Sequence, residues 1–262
     1  MVLEKIPYQI FMTMEPSFDQ LPPNMKNNFY KWIKLNPEFS IYYFSGKDRK
    51  AMIAQEFENE VSRAYQLLNS GVAKADFWRI CILYIYGGIY CDIDLEPLKP
   101  VHDFLPYDCE MLAVRANRDK RDVGNGIIAI PPRQQLLWEV IQLQTDKIIK
   151  SYNSNLSWIH PQDLVGSGSI AEALARYLGN QDKTELKDYK NFLQCFCIYI
   201  LPIEKSEKVI LNGKGQAVLN LKYGGYFEDC KKMGISPYRG KHNMTLVSSW
   251  IRKLFYRIIS NK

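Results

Sequence analysis

The chain is short of the features that would commit it to several common roles. Its six cysteines, Cys81, Cys91, Cys109, Cys195, Cys197 and Cys230, include no Cys-x-x-C pair, so neither a zinc knuckle nor a thioredoxin-type redox site is indicated. Reduced packing thiols in a reducing compartment are the expectation, with Cys195 and Cys197 on one face of a strand. No internal repeat, low-complexity tract or dense run of one charge is present. The net charge is +6, but the lysines and arginines are scattered and no nucleic-acid-binding motif accompanies them, so no nucleic-acid partner is expected. The longest apolar run, Ile80 to Cys91, is too short and too interrupted by glycine to span a bilayer. Glu4, Lys5 and Pro7 interrupt what would be a secretory leader, which points to a cytoplasmic location. The acceptor patterns Asn155-Leu156-Ser157 and Asn243-Met244-Thr245 then carry no weight.

What is present suits one folded domain. With 262 residues, 47% hydrophobic and 13% aromatic, the chain can bury a sizeable core. Pro7 to Met12 and Phe39 to Phe44 read as strands separated by a helix from Pro23 to Leu35, which Pro37 helps to close. Asp48 to Phe57 and Glu60 to Leu68 read as helices, Met111 to Arg115 and Gly126 to Ile130 as strands, and Arg133 to Lys150 as a further helix. Such alternation predicts a layered α/β sheet with ligands at strand ends. The polar stretch from Asn180 to Lys190 reads as an exposed loop or an acceptor-side insertion.

The most informative stretch is Gly87-Gly88-Ile89-Tyr90-Cys91-Asp92-Ile93-Asp94. Read as a strand, it places Ile89, Cys91 and Ile93 on one face and Tyr90, Asp92 and Asp94 on the other. Two carboxylates about 6.6 Å apart along a strand repel each other, and a divalent cation is the simplest means of holding them together. Upstream, Val72 to Tyr86 is too long an apolar run for a strand and reads as a buried helix, ended by Gly87 and Gly88. Asp76 and Arg79 interrupt it three residues apart, hence on one face. Measured back from Gly87, Asp76 lies about 16 Å and Arg79 about 12 Å along the helix. Measured forward, Asp92 lies about 16 Å and Asp94 about 23 Å along the strand. A strand returning beside its helix brings all four to one volume near a helix N-terminus, where a metal-bound diphosphate is favoured. Taken separately, Asp76 and Arg79 could be a buried ion pair and the Asp-x-Asp triplet a strand end entering a solvated loop.

The run Ala75-Asp76-Phe77-Trp78-Arg79, with Leu83-Tyr84-Ile85-Tyr86-Gly87-Gly88-Ile89-Tyr90 and Asp92-Ile93-Asp94, resembles the DXD-containing sugar-binding region of family 32 glycosyltransferases. That family includes the yeast-type initiating mannosyltransferases and is similar here to the clostridial glucosylating toxins. The resemblance extends to Ile6-Pro7, Trp32, Asn36-Pro37-Glu38-Phe39 and Asn125-Gly126, and Val165-Gly166-Ser167-Gly168 is similar to the family's T-G-P element with Ser167 in place of proline. His242 through Ser249-Trp250 resembles its His…Ser-Trp signature at a longer spacing, with Ser248 and Ser249 competing for one role. The tryptophan usual in the first strand is replaced near Phe11 to Met14.

The resemblance implies a GT-A type, Rossmann-like mixed sheet flanked by helices over residues 1–249, binding a UDP- or GDP-linked sugar through Mn²⁺ or Mg²⁺. It implies transfer of a hexose, with retention, to a glycan or lipid-linked saccharide acceptor. By carry-over, Asp92, Asp94 and Arg79 would form the catalytic group. Asp76, Arg79, Tyr90, Asp92, Asn125, Ser249 and Trp250 would contact the donor, and Asp94 and His242 the metal. Hard oxygen ligands agree with Mg²⁺ or Mn²⁺.

Two other classes compete. A non-catalytic nucleotide-sugar binder would share the site, and aspartate-nucleophile phosphatases also use Asp-x-Asp, although Glu96 stands where they want a small hydroxyl or apolar residue. Residues 250–262 form a separate expectation. Ile251, Leu254, Phe255, Ile258 and Ile259 recur at helical spacing among Arg252, Lys253, Arg257 and Lys262. This basic amphipathic helix would either dock on its own domain or rest on the inner, anionic face of a membrane as a peripheral anchor.

Overall fold

The computed structural model describes residues 6–114, 123–154, 164–177 and 197–235. His242, Ser248, Ser249, Trp250, the helix expected over 250–262, Cys195 and the polar stretch of 180–190 lie outside them.

The chain begins as a β-α-β unit: β1 (Gln9–Thr13), α1 (Pro23–Leu35) and β2 (Ser40–Phe44). Proline at the first helical position suits α1 because its missing N–H would have no helical partner there. Then come α2 (Gly46–Glu56), α3 (Asn59–Leu67) and α4 (Gly71–Tyr86). Helix α2 starts two residues earlier than its sequence suggests. Ser45 caps it reciprocally: its backbone N–H donates to Asp48 Oδ2 at 2.8 Å and its Oγ accepts from Asp48 N at 3.3 Å.

Strands β3 (Gly88–Cys91) and β4 (Glu96–Pro97) follow, then β5 (Met111–Val114), β6 (Gly124–Ile130), α5 (Gln135–Asn153) and α6 (Ser167–Tyr177). The chain continues through β7 (Ile198–Leu201), β8 (Ile203–Glu204), β9 (Val209–Leu211), β10 (Ala217–Asn220) and α7 (Tyr226–Lys232).

Six strands form one mixed sheet in the order β2-β1-β3-β6-β5-β7. β1 runs parallel to β2 and β3, β6 antiparallel to β3 and β5, and β7 parallel to β5. Alternation along each strand divides two cores. Phe11, Tyr90, Ala113 and Ile128 face one layer with residues of α2 to α6. Ile10, Met12, Ile89, Cys91, Leu112, Ile127 and Ala129 face the other, with α1 and the second sheet. The buried cysteines Cys81, Cys91, Cys109 and Cys230 are thiols. Cys197 stands just before β7 with φ of 48°, so it is not a member of that strand.

The junction from α4 to β3 places the aspartates. Gly87 and Gly88 have φ of 63° and 89°, a region costly for residues with a Cβ. Space is equally restrictive: a Cβ on Gly87 would lie 2.5 Å from Pro132 N, and one on Gly88 2.7 Å from the Gln9 carbonyl oxygen. The reversal drops the chain into the sheet between β1 and β6.

β3 ends at Cys91, earlier than a strand running through Asp94 would. Its last ladder pair is Cys91 with Ile127, and the Asp92 N–H donates to the Gly126 carbonyl at 2.8 Å. The chain then turns, Leu95 N donating to Asp92 O at 3.0 Å. Ile93 nevertheless remains in the core that holds Ile89 and Cys91. The turn delivers β4 to a small antiparallel sheet, β4-β10-β9-β8, which sequence periodicity does not announce. Strands of two to four residues, one ending in proline, carry too little pattern to be read.

Candidate active site

Asp76 and Arg79 sit one turn apart on α4, nearly buried at 6% and 4% exposure. Burial of a carboxylate demands partners, and Asp76 has two: Arg79 Nη2 at 2.7 Å and the side-chain amide of Asn125, whose Nδ2 donates at 2.9 Å. Arg79 spends its fork across the sheet. Its Nη1 lies 3.2 Å from Asp92 Oδ1 and also donates to the Asn125 carbonyl, while its guanidinium stacks 4.2 Å from the centre of the Tyr90 ring. Tyr90 returns to the same group, its hydroxyl donating to Asp92 Oδ1 at 2.7 Å.

The helix and the returning strand thus bring Asp76, Arg79, Tyr90, Asp92 and Asn125 together. Asn125 arrives from β6, where neighbouring Gly126 allows the Asp92 carboxylate close approach; a Cβ there would stand 3.1 Å from Asp92 Oδ2. Asp92 Oδ1 is committed inward, and the residue's side chain is about a third exposed at 34%. It is the carboxylate of this group that faces outward.

Asp94 is arranged differently. It is 8% exposed, and its Oδ2 pairs with the ammonium of Lys222, beyond β10. The Asp94 carbonyl accepts from Tyr223 N at 3.0 Å, so the segment after β10 is tied to the turn after β3. Asp94 Oδ1 is buried without a hydrogen-bond partner among the described residues. Lys222, and Tyr226 whose ring centre lies 4.7 Å from its ammonium, were not distinguishable as site residues by spacing. The only signal is the stretch Lys222-Tyr223-Gly224-Gly225-Tyr226, where paired glycines separate aromatic residues beside a cation.

The electrostatics follow from burial. Desolvation pushes the Asp76 carboxyl up to about 6, against the opposing pull of Arg79 and with a further upward push from Asp92. Burial acts to lower Arg79, but the surrounding carboxylates and Tyr90 outweigh it and hold the guanidinium cationic. Asp94 is also raised by burial, opposed by Lys222.

For Asp76 the sign is definite. A carboxyl raised on folding favours the fold while protonated, and that contribution is lost as pH climbs from its ordinary value through about 6. Thermal denaturation at pH 4 and pH 7 should accordingly show Asp76→Asn gaining stability relative to the native chain at the higher pH. A pH-independent gap would mean that Asp76 titrates normally.

Other expected positions fall as follows. Phe11, in the middle of β1, is buried and stacks on Tyr42 with ring centres 5.7 Å apart. Ser167 and Gly168 open α6. His242, Ser249 and Trp250 lie outside the described residues.

Could this group hold a divalent cation? The donor set is hard oxygen, as Mg²⁺ and Mn²⁺ prefer, and the orphaned Asp94 Oδ1 is a buried acceptor in need of a positive partner. The residues fit such an ion. Among the described residues no cluster of three or more His, Cys, Asp or Glu gathers to hold one, so oxygens of a ligand would have to complete the shell.

Residues 22–111 match the family model described as the glycosyltransferase sugar-binding region containing DXD motif. The initiation-specific alpha-1,6-mannosyltransferase of Schizosaccharomyces pombe is 27% identical over 199 residues, 67% of this chain and 50% of that protein. The Candida albicans protein of the same name is 31% identical over 122 residues, 45% of this chain and 31% of its own length. The chain thus spans half or less of the length of these relatives.

Two solved structures share the fold. PaToxG glycosyltransferase has a TM-score of 0.54 at 19% identity, covering 74% of this chain and 78% of that one. The catalytic domain of alpha-toxin from Clostridium novyi has a TM-score of 0.57 at 10% identity, covering 98% and 83%. The mixed sheet is of the GT-A type, and Asp92-Ile93-Asp94 lies inside residues 22–111, the part of the chain that matches the DXD-containing sugar-binding region of glycosyltransferases.

Proposed function

We propose that this chain transfers a hexose, with retention of anomeric configuration, from a UDP- or GDP-linked sugar to a glycan or lipid-linked saccharide acceptor, with Mn²⁺ or Mg²⁺ as cofactor. The observation that carries the reading is one arginine bridging carboxylates from a helix and from the end of a central strand, two residues before a buried carboxylate with one oxygen lacking a hydrogen-bond partner among the described residues. A bound cation would neutralise the charge that develops on the departing diphosphate.

Asp94 would hold that cation and His242 would assist; Ser249 and Trp250 would close over the donor. Arg79 supplies fixed positive charge beside the departing group without reorganisation. Asp76 and Asn125 hold each other in an orientation that leaves their remaining polar atoms to sugar hydroxyls. Tyr90 orients Asp92 through its hydroxyl, so that the outward oxygen can meet the donor's ribose or sugar.

Among the described residues no helix is long and apolar enough to cross a membrane. A peripheral position at an inner membrane face rests on the basic sequence of 250–262 alone.

The test is a panel of UDP- and GDP-sugars with Mn²⁺, scored for donor hydrolysis without acceptor. One donor should be consumed selectively. A donor that binds with metal but is never turned over would leave a nucleotide-sugar binder, the second reading that the same residues permit.

A further inference from the structure

The ammonium of Lys222 occupies one oxygen of Asp94, the carboxylate proposed to hold the metal. We propose that Lys222 is a built-in counter-cation that a divalent ion must displace, so that the site takes metal weakly by itself and well only together with a diphosphate. The inference rests on the reading of Asp94 as a metal ligand.

Asymmetry within the pair supports it. The Asp94 side chain is 12% exposed and cannot follow its partner outward, whereas Lys222 is 42% exposed on a flexible four-carbon stem. The backbone of the lysine segment is anchored by the Tyr223 N–H on the Asp94 carbonyl, and the ammonium lies 4.7 Å from the centre of the Tyr226 ring, which favours a cation at its face. The lysine end can therefore move while its base stays. Asp94 Oδ1 is buried with no hydrogen-bond partner among the described residues, so once the ammonium swings away both oxygens of the carboxylate are free for a cation. A metal and an ammonium on one carboxylate repel at short range. Negative charge from a diphosphate relieves that repulsion and gives the released ammonium an anion to meet.

The test is Mn²⁺ binding without nucleotide, followed by the paramagnetic signal of the free ion, for the native chain, Lys222→Met, Lys222→Arg and Asp94→Asn. Removal of the ammonium should tighten Mn²⁺ binding by about fivefold or more, as expected when an ion pair no longer competes. Lys222→Arg, which keeps the charge, should remain at the native value, and Asp94→Asn should bind least. Should Lys222→Met fail to fold, Lys222→Gln gives the same comparison. If Asp94→Asn binds as well as the native chain, the assignment of Asp94 as ligand falls. If Asp94→Asn loses binding while Lys222→Met is no tighter than native, the counter-cation proposal alone is overturned.

Discussion

Replacing Arg79 by methionine should cost about 3–5 kcal/mol of stability, lowering the melting temperature by about 10 °C in a chain of this size, and should abolish donor turnover. The loss is large because methionine fills the stem's volume but strands what the guanidinium served. Among the described residues, Asp76 would keep the Asn125 amide alone and Asp92 the Tyr90 hydroxyl alone, and the Asn125 carbonyl would lose its donor. Asp76, already pushed up to about 6 by burial with the arginine present, would move further upward without it. Lysine should rescue only partly, since a point charge cannot reach two carboxylates and a carbonyl while lying flat on Tyr90. Calorimetry across the native chain, Arg79→Met and Arg79→Lys checks this ranking. An Arg79→Met protein with native stability would show that the cluster is solvated and not a buried network.

Asp94→Asn should behave in the opposite sense: turnover falls by about 10²-fold or more, with stability unchanged or increased. Burial raises the Asp94 carboxyl, and among the described residues one of its oxygens has no hydrogen-bond partner, so the charge is held against the preference of its surroundings. A neutral amide of the same shape relieves that cost and keeps the backbone link to Tyr223. Groups whose charge the fold tolerates at a cost are those retained for chemistry. The check pairs donor hydrolysis in Mn²⁺ with a melting curve. Full activity in Asp94→Asn would remove this residue from the mechanism, and a large loss of stability would make it a structural ion pair with Lys222.

Much of this site was legible in the order of residues. Asp76 and Arg79 three apart in an apolar helix, two glycines, and Tyr90-Cys91-Asp92 on the returning segment specify which side chains can meet. A helix rising 1.5 Å per residue and a strand rising about 3.3 Å make Asp92 retrace the distance back to Asp76. The glycines make the reversal possible, through positive φ and the absence of a Cβ against Pro132 and Gln9. The first β-α-β unit was equally readable, because proline punctuation and two different hydrophobic periods mark it locally.

Other features had no local signature. Asp94 continues the alternation of the strand on paper, yet the strand ends at Cys91, paired with Ile127, and the chain turns at Asp92, whose carbonyl accepts from Leu95 N. The partner of Asp94 is Lys222, 128 residues away, delivered by a four-stranded sheet whose strands are too short to show a period. Asn125 could be matched by resemblance, but its hydrogen bond to Asp76 depends on β6 lying beside β3.

The sequence by itself determined the helix, the reversal and the carboxylates they carry, since those depend on backbone geometry within some twenty consecutive residues. Only the tertiary structure decided which carboxylate is held by an arginine, which by a lysine, and which oxygen has no partner among the described residues. Those outcomes depend on distant segments meeting, and charge pairing at a distance leaves no periodic trace along a chain.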